Sequence, residues 1–312
     1  MLTHRAFVEL RESVPAQVDA GADLPLNVRV ACRAGCDLRG APIAVLAGQE
    51  TIASAGLAAY DGTGNDAETL LLKAPGTGGE HVWTVVFHHH ETESVAHGES
   101  SLAVGFETVP HSTSMAIWDV PSSPVPFDHP FTVKVGVKCS AGCALGGQTV
   151  VVTDGSGTRM GQATMDETPW PGTVALYVAE VALVAPRAAG MSAWTGHFAE
   201  HDLPLPHDVA SAAFTFVAAP RPEHELEIRV TDKDTNAPIG QVEIRCGCYR
   251  TSTNSDGFAT LRLPAGKYDV NAWKLGYDDA EPTTVEVTRD LLLDLVTAAT
   301  PKPDPDAERV WM

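Results

Sequence analysis

The strongest constraint on this chain is an internal duplication. Residues 28–40 read VRVACRAGCDLRG and residues 135–147 read VGVKCSAGCALGG, at an offset of 107. Farther on, Ala74-Pro75 and Trp83-Thr84 return as Ala185-Pro186 and Trp194-Thr195, at an offset of 111. Phe87 then matches Phe198 and His90 matches His201. With one residue removed, His97, Phe106 and Pro110 match His207, Phe216 and Pro220. Order, spacing and residue type agree, so residues 1–110 and 111–220 are expected to fold as two similar units, each with its own core.

Within a unit the pattern is that of strands. Residues 26–32, 42–46, 68–73, 81–89 and 101–109 are β-rich or partly alternating runs. The second unit repeats them at 131–138, 149–153, 173–184, 192–198 and 211–217. The chain has 27 Gly and 22 Pro, with aromatics at only 6%, which suits many short strands and tight turns. No stretch sustains a 3.6-residue apolar period, and the short run at 291–296 after Asp290 reads as a last strand rather than a helix. Short strands at spacings near ten residues imply an antiparallel sandwich. In that architecture the two units resemble immunoglobulin-like domains. They lack the long-range Cys…Trp…Cys spacing of antibody domains, so the resemblance is to the sandwich and not to that family.

Residues 221–298 carry different marks. Pro238-Ile239-Gly240 precedes a strand, Asp256-Gly257-Phe258 makes a turn, and Leu263-Pro264-Ala265-Gly266-Lys267-Tyr268 starts another strand. Gly276-Tyr277 follows the next. Asp256-Gly257 is a hairpin-turn dipeptide, and Pro264 to Gly266 joins a fixed φ to a flexible position. This segment resembles the carboxypeptidase regulatory-like family, whose fold is a transthyretin-like seven-stranded sandwich. The resemblance implies a fold and no particular activity. The expected class is therefore all-β: three tandem antiparallel sandwiches, two immunoglobulin-like repeats followed by a transthyretin-like unit. Connectors at 107–111 and 218–224 should hold them in a semi-fixed line. Residues 299–312, with prolines at 301, 303 and 305, should form an extended tail with Trp311 near its end.

Charge excludes some functions. Asp and Glu number 40 against 21 Lys and Arg, a net charge of −19 in 312 residues. A chain so acidic repels phosphate backbones, so nucleic acid is not the expected partner. The excess is spread over all three units and suits general solubility. No apolar run is long enough for a transmembrane helix. The first residues, MLTHR, show no basic-then-apolar leader, and the expected location is the cytoplasm.

Six cysteines fall as three local pairs: Cys32/Cys36, Cys139/Cys143 and Cys246/Cys248. In the first two, a loop with Gly in the left-handed position would set the thiols opposite each other on neighbouring strands. In a strand, Cys246 and Cys248 would face the same side. Three readings stand open: half-buried thiols that pack as small apolar groups, local disulfides, and a zinc or copper site. A structural zinc needs four ligands and each pair offers two, so two pairs would have to meet or histidines would have to complete the set.

Histidines gather at matched loops. His88-His89-His90 ends one strand and His97 follows it; His197, His201, Asp202 and His207 lie at the matching place. The candidate metal ligands are His90, His97, His201 and His207, with His88 as an alternative to His90 and Glu91 or Glu93 completing the set. Polar hairpin tips also tolerate histidine freely. His81, His111, His129 and His224 read as linker or surface residues. Asp232/Asp234 and Asp278/Asp279 could hold calcium, although acidic loop pairs are ordinarily solvated.

No catalytic signature is present: no Gly-x-Ser-x-Gly elbow, no His-Glu-x-x-His, no phosphate-binding loop and no dinucleotide fingerprint. No catalytic or organic-cofactor residues are assigned. The expected function is a non-enzymatic modular scaffold or accessory subunit that binds another protein or a second copy of itself. The alternatives are a metal-binding protein and a surface or carbohydrate-binding protein.

Overall fold

The computed structural model describes residues 2–92, 94–199, 203–278 and 280–300. Among these residues every regular element is a β-strand. The strands build three successive sandwiches, each around its own core cluster. The connections between them fall at residues 110–112 and 220–223. The all-β, three-sandwich architecture expected from the sequence is the one observed.

In the first domain, Leu2–Leu10, Val28–Cys32 and Asn65–Ala67 pair in one sheet. Pro42–Ala47, Gly79–Phe87, Ser100–Val109 and Gln17–Asp19 pair in the other. The long strand Glu50–Tyr60 belongs to both. Its first half pairs with Pro42–Ala47 and its second half with Asn65–Ala67, so it joins the two sheets into one ribbon. The second domain has Thr113–Trp118, Pro130–Cys139 and Leu176–Val184 in one sheet. Val125–Pro126, Ala210–Ala219, Gly190–Phe198, Thr149–Thr153 and Arg159–Thr164 form the other.

Alternation decides what each strand buries. Along Gly79–Phe87, Trp83, Val85 and Phe87 point inward while Val82 is exposed. Trp83 packs edge-on against Phe106 with ring centroids 4.7 Å apart, and Trp194 packs against Phe216 at 4.9 Å. The matched aromatic pairs of the duplication are therefore matched core pairs. Burying side chains of this kind contributes about 2–3 kcal/mol each.

The repeats diverge at one place. Arg29 is buried in the first domain, where it donates to Asp61 at 2.8 Å through both terminal nitrogens. Asp66 stands nearby and is held by Arg11. At the offset of 107, Arg11 and Arg29 become Trp118 and Gly136. A Cβ on Gly136 would lie 2.7 Å from the Trp118 ring, so the glycine there makes room for the indole. An ionic cluster in one repeat is an aromatic contact in the other.

The third domain has two sheets of three and four strands. Phe258–Leu263, His224–Asp232 and Leu291–Thr297 form one, the last two pairing in parallel. Tyr249–Ser252, Glu243–Cys246, Gly266–Trp273 and Thr283–Val287 form the other. Gly257 has a φ of 78°, and a Cβ there would stand 2.7 Å from the Val230 carbonyl, which explains glycine after Asp256. The Cys246/Cys248 expectation is corrected. Gly247 and Cys248 are the two-residue loop of a hairpin that pairs Cys246 with Tyr249, and Gly247 takes a φ of 59°. The turn leaves Cys246 buried and Cys248 exposed, so their sulfurs do not share a face. Residues 301–312 of the tail, Trp311 included, lie outside the described residues.

Candidate metal centres

Each cysteine pair of the repeats begins at a strand end. Cys32 closes the strand Val28–Cys32 and Cys139 closes Pro130–Cys139. A tight turn follows, in which Gly35 N–H donates to Cys32 O at 2.8 Å and Gly142 N–H donates to Cys139 O at 3.1 Å. Both glycines have positive φ, 65° and 75°, the left-handed conformation that glycine adopts without a Cβ penalty. The turn returns Cys36 and Cys143 toward the first thiol. It does so from an irregular segment and not from a paired strand, which corrects the hairpin geometry expected from spacing. Fully buried Leu38 and Leu145 anchor the chain beyond. In the first domain Asn65 also fixes it, accepting from Leu38 N–H at 2.8 Å and donating to Cys36 O at 3.1 Å.

Strand pairing then brings two histidines to each pair. The strand Leu2–Leu10 lies between Val28–Cys32 and Val95–Gly98, with Ala6 opposite Cys32 and His4 opposite His97. In the second domain Thr113 stands opposite Cys139 and His111 opposite His207. Two four-residue groups result: His4, Cys32, Cys36 and His97, and His111, Cys139, Cys143 and His207. In each group one nitrogen or sulfur of every residue lies within 4.8 Å of the others.

The distances come close to those around a tetrahedral ion, the shortest nitrogen–sulfur contacts of 3.1 and 3.0 Å being a few tenths of an ångström tighter. His4 Nδ1 is 3.1 Å from Cys36 Sγ and 3.8 Å from Cys32 Sγ. His111 Nδ1 is 3.0 Å from Cys143 Sγ and 3.8 Å from Cys139 Sγ. A zinc ion with bonds of about 2.3 Å to sulfur and about 2.0–2.1 Å to nitrogen sets its donors about 3.3–3.8 Å apart. Cys32 Sγ and Cys36 Sγ are 3.5 Å apart, beyond a disulfide bond, and all six cysteines are free thiols.

Hydrogen bonds on the far side of the rings set which nitrogen is a donor atom. His111 Nε2 is 2.7 Å from Ala20 O, and His207 Nδ1 is 2.8 Å from Leu205 O. A carbonyl only accepts, so both nitrogens carry hydrogen. That leaves His111 Nδ1 and His207 Nε2 as free lone pairs facing the thiols. His207 Nε2 is buried without a hydrogen-bond partner. His97 is 1% exposed, and neither of its ring nitrogens has a partner. A thiol donating to His4 or His111 would leave these nitrogens unsatisfied, whereas one cation would engage both sulfurs and one nitrogen of each histidine at each centre.

Burial acts on the ligands. It draws the His97 imidazole below the usual histidine range, with the charge of His4 adding to the effect. It pushes the Cys36 thiol up, and the Cys143 thiol up to about 11, helped by hydrogen bonding to the neighbouring cysteine. Two thiolates and one divalent cation sum to zero charge, which removes the penalty of burying either alone.

The structure redistributes the residues that the sequence singled out. His97 and His207 join the cysteine pairs. His90 does not; it sits opposite His97 on a neighbouring strand and contributes no atom to the group. His201 and Glu93 lie outside the described residues, as does Asp202. His88 and His89 face the carboxylates of Glu99 and Glu91 on the surface. His4 and His111 were the residues missed, His111 having been read as a linker residue. Their signal was available, because the offset of 107 that relates the cysteines also relates these histidines. Of the acidic candidates, Asp232 is engaged locally, its Oδ1 accepting from Asp234 N–H, Thr235 N–H and the Thr235 hydroxyl.

No protein-family model matches the chain, and no curated protein matches it in sequence. Solved structures similar to it include native alpha-2-macroglobulin from Escherichia coli, at 12% identity over 90% of this chain and 97% of that one, with a TM-score of 0.26. BcpA, the major pilin subunit of Bacillus cereus, is similar at 9% identity over 95% and 100% of the two chains, with a TM-score of 0.23. An ICAM-5 ectodomain fragment is similar at 11% identity over 95% and 76%, with a TM-score of 0.33.

Proposed function

We propose that this chain is a non-enzymatic modular scaffold whose first two sandwiches are each stapled by a structural zinc ion. The observation that carries this reading is the repetition of one closed Cys2His2 group at matched positions of two domains. Two thiolates with two imidazoles are a structural zinc set, and four protein donors leave no position for a reactive water. Burial supports the same conclusion: Cys139 is 0% and His111 4% exposed. Zinc here would hold the segment after each cysteine turn to the histidine strands, where these small domains otherwise rely on modest cores.

The third domain carries no such group among the described residues. Its seven strands in sheets of three and four support the transthyretin-like reading of its sequence marks. In the scaffold reading, this domain and the exposed strand edges serve contacts with another protein or a second copy. The test is calorimetry of the purified full chain with and without a zinc chelator, alongside its partners from native extract. Chelation should lower the unfolding midpoints of the first two domains and spare the third. Chelation without effect on any transition, or substrate turnover that depends on the metal, would contradict the reading.

A further inference from the structure

The two centres differ in what stands behind them. The second lies where the first two domains meet. His111 follows the last strand of the first domain, and its Nε2–H donates to Ala20 O of that domain. Ala20 is fully buried in a turn at residues 19–22, closed by Ala22 N–H on Asp19 O and tied down by Ala20 N–H on Val109 O. The other histidine is linked to the same surface through Leu205. The Leu205 carbonyl accepts from His207 Nδ1–H. Its side chain sits over two first-domain glycines: a Cβ on Gly21 would be 3.1 Å from Leu205 Cδ1, and one on Gly76 3.3 Å from Cδ2. The loop is knitted to His111 as well, which donates from N–H to Pro206 O and accepts at O from Asp208 N–H.

The His111 imidazole is therefore oriented by a contact that exists only while the first domain is docked, and the His207 imidazole by the carbonyl of Leu205, whose side chain rests on that domain. Outer partners of this kind fix ring orientation and nitrogen protonation in metal-bound histidines. Among the described residues, the hydrogen-bond partners of the His4 imidazole at the first centre are the first domain's own cysteines. Among the described residues, His4 makes no bond to a carbonyl that matches the one from His111 to Ala20.

The geometry points to the second centre as a metal-dependent joint: zinc on His111, Cys139, Cys143 and His207 and docking of the first domain through Ala20, Gly21 and Gly76 stabilise each other. This rests on the zinc reading above. Because binding free energies are linked, the coupling acts in both directions. Breaking the docking weakens zinc at the second centre alone, and removing that zinc loosens the first domain from the second.

The experiment uses the full chain with one centre isolated at a time. Cys32→Ser with Cys36→Ser leaves only the second, and Cys139→Ser with Cys143→Ser leaves only the first. Into each background go Leu205→Asp, which keeps the backbone acceptor, or Gly76→Glu, which changes only the first domain. Zinc affinity is read by competition with a chromophoric chelator. The expected result is a loss of about 10-fold or more at the second centre with either substitution, and no change at the first. Should Leu205→Asp fail to fold, Gly76→Glu carries the test from the other side of the contact. Small-angle scattering of the chain holding only the second centre should show a longer, broader particle after zinc is removed. Equal effects at both centres, or unchanged affinity and scattering with zinc bound, would overturn the joint and leave the zinc reading standing. A wild-type chain that takes up no stoichiometric zinc would overturn both.

Discussion

His4 Nδ1 lies 3.1 Å from the Sγ of Cys36, and the matched pair in the second repeat, His111 and Cys143, stands at 3.0 Å. Residues 32 apart in sequence are thus brought to the same separation twice. That repetition makes the arrangement a property of the fold and not of one loop.

Removing ligands should remove metal one centre at a time. Replacing Cys32 and Cys36 with serine should lower bound zinc from two ions per chain to one. Replacing Cys139 and Cys143 should do the same, and the fourfold variant should hold none. With free zinc about 1,000-fold above Kd, each centre contributes about 4 kcal/mol to the stability of its domain. Zinc content by mass spectrometry of the metal, with calorimetry alongside, checks both parts. Unchanged content in either double variant would contradict the assignment of ligands.

His90 distinguishes the observed geometry from the one expected from sequence. It was paired with His97 as a ligand, yet it stands on the adjacent strand outside the group. His90→Ala should therefore keep both zinc ions, whereas His97→Ala should lose one. Equal loss from the two variants would return His90 to the centre.

The aromatic pairs should report each domain separately. Trp83 and Trp194 are 2% and 3% exposed and meet Phe106 and Phe216 edge-on. Truncating either to alanine should cost about 3–5 kcal/mol. In calorimetry, Trp83→Ala should lower the transition of the first domain and Trp194→Ala that of the second. A variant that lowered all transitions equally would show that the cores are not independent.

Acid should act on the first domain through its ionic cluster. The hydrogen bond from Arg29 holds the Asp61 carboxyl well below the usual range, and the bond from Arg11 does the same for Asp66. A carboxylate with a depressed folded-state pKa stabilises the fold above the unfolded pKa, about 4. That contribution is lost as the pH falls toward the folded value. The wild-type chain should exceed an Asp61→Asn, Asp66→Asn variant in first-domain stability at pH 7, and the difference should narrow progressively as the pH falls below about 4. Hydrogen exchange in the strand Val28–Cys32 reads this locally. A pH-independent difference would show that the carboxylates act through shape alone.

Much of the architecture was legible because duplication repeats its own signals. Trp83 with Trp194, Gly35 with Gly142 and Leu38 with Leu145 mark the same core and turn positions in both units. The motifs around Asp256 and Gly276 marked the third domain. The centres were half legible. Cysteine spacing exposed the pairs, but strand order decides their neighbours. His4 meets Cys32 only because its strand lies in the sheet between two others, which no local pattern reveals. His111 resembled a linker residue because its role depends on Ala20, 91 positions away. Cys248 misled in the opposite sense: a Gly247 turn removed it from the face that strand periodicity would have given it.

The central claim is that two half-buried Cys2His2 groups hold zinc. Its most direct test is the metal content of the full chain, purified under reducing conditions without added metal or chelator and then equilibrated with zinc and desalted. The account predicts two zinc ions per chain, and cobalt in their place should give the intense near-ultraviolet bands of thiolate ligation. A folded chain with reduced thiols that retains no zinc and binds cobalt without those bands would contradict it.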